Sequence, residues 1–173
     1  MEARAYAATR DSARCAHLLV EAERALDQGR GEVSEWVNGF DEGSLASEVT
    51  RCMFQLGQYE QARQTAQRIV DLRRGRVRSH ALGQLALAQV LAAQQEPDEA
   101  CAVTEAALDE TRALSSYPVL QEFRYLQRQL RYHRRSRPVG DFLPRLELAL
   151  GDRLRTFQWL ATHDQPLAVT ETE

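Results

Sequence analysis

Lysine is absent from this chain of 173 residues: all 22 cationic side chains are arginine, and isoleucine and asparagine occur once each, at Ile69 and Asn38. The near-loss of residues with AT-rich codons points to a GC-rich bacterial genome. Physically, it leaves every cation as a planar fork suited to carboxylate or phosphate. Cysteine is scarce, and Cys15, Cys52 and Cys101 stand alone in helical patterns. That excludes a disulfide framework and the spacing of a metal site, so the three read as small buried hydrophobes in a reducing cytosol. No run approaches the roughly twenty apolar residues of a membrane span, and the N-terminus lacks a signal-peptide apolar region. The expectation is a soluble cytoplasmic protein without a membrane partner.

Other absences narrow the chemistry. There is no glycine-rich phosphate loop, no Cys or His pairing at metal spacing and no nucleophile elbow. His17, His80, His133 and His163 are scattered over different segments. Acidic pairs such as Asp41-Glu42 and Asp98-Glu99 fall at helix starts, where negative charge complements the helix dipole without any active-site role. No catalytic residue, cofactor or metal is expected. A net charge of -3 and a pI near 5.9 give no global attraction to nucleic acid or acidic membrane, so any basic surface is local.

What remains is a strong helical signal. Nine Gly, five Pro and an aromatic fraction of 7% accompany abundant Ala, Leu, Glu, Gln and Arg, the good helix formers. After a short segment to Thr9, a helix runs to Leu26 with Cys15, Leu18, Leu19, Ala22 and Leu26 inward. Gln28 to Asp41 reads as a loop whose Trp36 and Phe40 fold back onto the core. Helices follow over 42–56, closed by Gly57, and over Tyr59 to Leu72, closed by Gly75. In the latter Ala62, Ala66, Ile69 and Val70 face inward, while Arg63, Arg68, Arg73 and Arg74 face outward or complement the dipole. The next pair spans Ser79, as N-cap, to Gln94 and Pro97 to about Leu114. Val119 to about Arg134 carries Leu120, Phe123, Leu126 and Leu130 inward. A last helix opens near Pro144 and uses Leu146, Leu148 and Leu150. Residues 1–163 form a single domain, and 164–173 a flexible tail.

Leu56-Gly57-Gln58-Tyr59-Glu60-Gln61-Ala62 reads as the turn of a helical hairpin and is echoed at Ala93 to Ala100. These pairs resemble tetratricopeptide repeats, with Gly57, Tyr59, Ala62, Ala66 and Ile69 at the consensus turn, aromatic and packing positions. In the next copy Ala100 and Ala107 match, with Gln95 at the Gly position, and in the first copy Cys15, Leu19 and Ala22 match. The resemblance implies an all-α fold of tetratricopeptide-like hairpin repeats, about three pairs plus C-terminal capping helices. Cys15, Ala62 and Ala100 are 47 and 38 residues apart against about 34 in the family, so loops are inserted. From Trp36 to Arg153 the chain also resembles the C-terminal repeat region of actinobacterial helix-turn-helix transcriptional regulators. That resemblance implies a regulatory sensor or scaffold module, acting through a fused or partner DNA-binding domain.

In such repeats the first helix of each pair lines a concave groove. Arg51, Phe54 and Gln55 then line it from one pair, Arg78, Leu82, Leu85 and Gln89 from the next, and Arg124, Tyr125 and Arg128 from the late helix. Ser44, Ser47, Ala92 and Gln121 lie on the same faces. This mixture suits a protein or short amphipathic peptide ligand. Leu82 and Leu85 read equally as pocket or as ordinary packing. Arg124, Arg128, Arg131, Arg134, Arg135 and Arg137, with Tyr125 and Tyr132, read either as a grip for an acidic peptide or phosphate backbone, or as a solvated helix face. Direct nucleic-acid binding and a structural homodimer, with Phe142, Phe157, Trp159 and Leu160 as cap or interface, are the alternatives.

Overall fold

The computed structural model describes residues 2–29 and 40–163, with the backbone alone for 29 and 159–163. The described residues form α1 (Glu2–Ala8), α2 (Ser12–Gly29), α3 (Glu42–Gln55), α4 (Tyr59–Leu72), α5 (Val77–Ala93), α6 (Pro97–Glu110), α7 (Tyr117–Leu130) and α8 (Arg137–His163), with a 3-10 turn at Arg131–His133. The fold is all-helical, with no strand among the described residues. Neighbours in sequence pack as pairs, α1 on α2, α3 on α4, α5 on α6 and α7 on α8. Side chains joining opposite ends show that successive helices run antiparallel: Arg68 Nε donates to Glu42 at 3.0 Å, Gln94 Nε2 to Glu60 at 3.3 Å, and His80 Nδ1 meets Glu110 at 2.7 Å. Helices α3 and α5 therefore share one direction, and α5 contacts both α3 and α7.

The same turn closes three of the first helices. Asp11, Gln58 and Glu96 each donate their backbone N–H five residues back, to the Tyr6, Met53 and Leu91 carbonyls at 2.9 Å, the long bond of a Schellman cap. The residue before each is left-handed: Arg10 at φ 61°, Gly57 at φ 76° and Gln95 at φ 66°. Only Gly57 adopts this conformation without a Cβ penalty. The turn recurs at the register set by Cys15, Ala62 and Ala100, each of which is fully buried.

The buried residues form two clusters. The larger runs from Ala66 on α4 through Leu85, Ala88 and Leu91 on α5 to Leu120, Phe123, Leu126 and Leu130 on α7, and ends on Val139, Phe142, Leu146 and Leu150 of α8. The smaller joins Ala7, Cys15 and Leu19 to Cys52 on α3. The cysteines are buried and free. Burial pushes the Cys52 thiol up to about 12, with the adjacent Cys15 thiol adding to it, and burial likewise pushes Cys101 up to about 11.

Several expected boundaries move. Helix α2 continues to Gly29, past the Gln28 at which a loop was expected to begin, and Trp36 lies outside the described residues, as does the tail 164–173. Phe40 is 48% exposed instead of folded onto the core. Arg76, not Ser79, is the N-cap of α5, because Val77 and Arg78 extend the helix by half a turn. Helix α6 stops at Glu110 and α7 at Leu130. Pro144 does not open a helix; it lies inside α8, which starts at Arg137. The stripe Val139, Phe142, Leu146 and Leu150 is buried on both sides of Pro144, and that burial outweighs the roughly 3 kcal/mol an interior proline costs. Leu148 is off this stripe and 68% exposed.

Candidate functional site

The odd-numbered helices enclose a groove of about 780 Å³. Its floor is α5, where Leu82, Gly83, Ala86 and Val90 face the opening, with Ile69 of α4 behind Gly83. A Cβ on Gly83 would lie 2.8 Å from Ile69 Cγ2 and 3.3 Å from the Val70 nitrogen, so the missing side chain is what lets α5 sit against α4. Ser44, Ser47, Arg51, Phe54 and Gln55 form one wall, from α3. Tyr59, two residues after the left-handed Gly57, holds Phe54 in place by an edge-to-face contact at 5.6 Å. The opposite wall is Gln121, Glu122, Tyr125 and Arg128 of α7. The Arg128 guanidinium lies over the Tyr125 ring at 5.6 Å, which orients it.

At the α1 end, Arg4 and Glu48 form a two-pronged ion pair on the groove wall, and its hydrogen bonds raise the Arg4 pKa. Beneath α3, Arg73 grips Asp41, with Nη1 2.6 Å from Oδ2. Asp41 is also the N-cap of α3, accepting from the Ser44 backbone N–H and hydroxyl, each at 2.9 Å. The Arg73 guanidinium, assisted by those two donors and opposed by burial, holds the Asp41 carboxyl well below the usual carboxylate range. Gly43 makes the space: a Cβ there would lie 2.6 Å from the Arg73 Cζ. Across the floor, Gln89 Nε2 donates to Glu122 at 2.8 Å.

Compared with known proteins, the chain matches no family model, and no curated protein or solved structure is significantly similar to it. The site is therefore read from its own geometry. Of the residues expected to line it, Arg51, Phe54, Gln55, Leu82, Gln89, Tyr125 and Arg128 are brought together, as are Ser44, Ser47 and Gln121. Leu85 is not among them; it is fully buried in the core, and Ala92 is buried as well. Because α5 is apolar on both its core and groove sides, it carries no single stripe from which to separate the two. Arg78 and Arg124 are exposed and outside the groove.

Arg73, Arg4, Phe40, Ser79 and Glu122 line the groove unanticipated. Arg73 was expected to be an outward cation at a helix end, yet its side chain is only 12% exposed. The signal for it was the N-cap Asp41 followed by Gly43, a carboxylate beside a gap. In the late arginine run, Arg131 and Arg137 each face a carboxylate across an exposed ion pair. Arg131 meets Glu147 at 3.6 Å, Arg137 meets Asp141 at 3.8 Å, and the nearby Arg145 meets Glu105 at 2.5 Å. Among the described residues no cluster of His, Cys, Asp and Glu is arranged to hold a metal ion, and no helix is long and apolar enough to cross a membrane.

Proposed function

We propose that this chain is a tetratricopeptide-like helical repeat domain that binds an extended segment of a partner protein in the groove of its odd-numbered helices, as a regulatory sensor or scaffold module. The observation that carries the reading is the make-up of the groove: an apolar floor of Leu82, Ala86 and Val90 between polar walls that place Arg51 and Arg128 on opposite sides. Such a surface provides pockets for apolar side chains and donors for a backbone or carboxylates. The resemblance to the repeat regions of actinobacterial transcriptional regulators supports the regulatory role. Nucleic-acid binding through the late arginine run is the second reading; the net charge of -3 gives it no global electrostatic support.

Selection of displayed random peptides on the wild-type protein tests this. Enriched sequences are expected to lose binding to Leu82→Arg, which fills the groove, while circular dichroism stays helical. Peptides that bind wild type and Leu82→Arg alike would place the interaction elsewhere.

A further inference from the structure

The groove's charges are mostly cancelled from within, and the pattern of what is left specifies a ligand. Arg4 is spent on Glu48 and Arg73 on Asp41. Arg51 makes no ion pair among the described residues, and neither does Arg128, whose contact there is the Tyr125 ring. Glu122, on the same helix as Arg128, reaches back to α5, where its partner Gln89 is uncharged, so that its negative charge stays at the seam between floor and wall. The groove thus carries a cation on α3, an anion at the seam of α5 and α7, and a second cation on α7.

Resting on the groove as the binding face, the geometry points to a partner segment with an acidic residue at each end, apolar residues between them and no acid in the middle. Arg51 and Arg128 sit on helices separated by α5, two interaxial spacings of about 10 Å each. The axes of α3 and α7 are thus about 20 Å apart, a distance bridged by about six residues of extended chain at roughly 3.3 Å per residue. The end carboxylates meet the two guanidinium forks, and central apolar side chains rest on the half-buried Leu82 and Ala86. Glu122 enforces the order, because a carboxylate placed centrally meets like charge over an apolar floor, where screening is weak. Arg51 and Arg128 select for acids at the ends, and Glu122 selects against them in the centre.

Fluorescence anisotropy with three synthetic six-residue probes tests the pattern: aspartate at both ends with two central leucines, the same peptide with asparagine at both ends, and one with the aspartates moved to the centre. The end-acid probe is expected to bind about tenfold or more tighter than either relative, on the usual strength of charge-assisted hydrogen bonds. Arg51→Gln and Arg128→Gln each remove the preference at one end, and Glu122→Gln lifts the penalty on the centre-acid probe. Both arginines are exposed, so these variants keep the fold. Equal binding of all three probes, lost in Leu82→Arg, overturns the charge pattern and leaves the groove standing. Binding that survives Leu82→Arg, no binding by any probe, or displacement by oligothymidylate in preference to peptide overturns both.

Discussion

Replacing Gly83 by alanine isolates the close approach that shapes the groove floor. The new Cβ would lie 2.8 Å from Ile69 Cγ2 and 3.3 Å from the Val70 nitrogen, against an optimal carbon separation of about 3.5–4.0 Å. Ile69 is 3% exposed and stiff at its branched Cβ, and the Val70 nitrogen is backbone, so α5 must withdraw from α4 by a few tenths of an ångström or more. Overpacking of this kind costs about 1–3 kcal/mol, and removing a glycine from a helix interior returns about 0.5–1 kcal/mol. The net expectation is a loss of about 1–2 kcal/mol, or a Tm lower by about 2–8 °C for a chain of this size. Gly151, in the interior of α8, is the control, because nothing lies within 4 Å of its Cβ position. Gly151→Ala therefore keeps only the helix gain and raises Tm by about 1–4 °C. Differential scanning calorimetry on the two variants decides. A Gly83→Ala protein that melts above wild type, as Gly151→Ala should, would refute close packing of α5 on α4.

Three further outcomes are expected. Phe123→Ala, at a fully buried ring in the larger core, costs about 3–5 kcal/mol in urea unfolding, and a loss under 1 kcal/mol would mean the ring is not packed as described. Gln95→Gly and Gly57→Ala move stability in opposite directions, up and down by about 0.5–1 kcal/mol, because both positions are left-handed and only glycine is unstrained there; thermal melts that shift the same way contradict the shared turn. The Asp41 carboxyl is held at lowered pKa by Arg73, so its stabilisation is complete above the unfolded aspartate value near 4 and fades as pH falls below that. Urea midpoints of wild type and Asp41→Asn should accordingly differ at pH 6 and converge toward pH 3, and a gap that widens in acid would show the pairing to be wrong.

Legibility from sequence followed the physics of each element. Helices with one wet and one dry face were readable: Leu120, Phe123, Leu126 and Leu130 were assigned inward on α7, and all are buried. Helix α4 was placed to the residue, since Gly57 and Gly75 punctuate it and both take positive φ. The groove walls on α3 and α7 followed from the same faces. The floor is harder to read, because α5 is apolar on both sides: Leu85, which reads equally as pocket or packing, and Ala92, expected on the groove face, both belong to the core. Arg73 was missed because helix-dipole reasoning explains a terminal cation adequately, and only the three-dimensional closeness of α4's end to α3's start brings it to Asp41. Pro144 misled for a similar reason: local propensity marks a boundary, while the burial that overrides it is set by α6 and α7.

The division of the interior into two clusters gives the molecule a stability gradient instead of a single pooled value. Contacts run between neighbouring helices, so the first hairpin is secured through Cys52, Val49, Met53 and Leu56 and through the Arg4–Glu48 pair. In a quasi-one-dimensional stack such an end unit opens at lower free energy than the interior. Because Arg4 and Glu48 also belong to the groove wall, opening of that end would unmake part of the binding face while α5, α7 and α8 stay folded. A ligand touching that wall would in turn protect α1 and α2 from exchange, coupling occupancy of the groove to the order of the amino-terminal end.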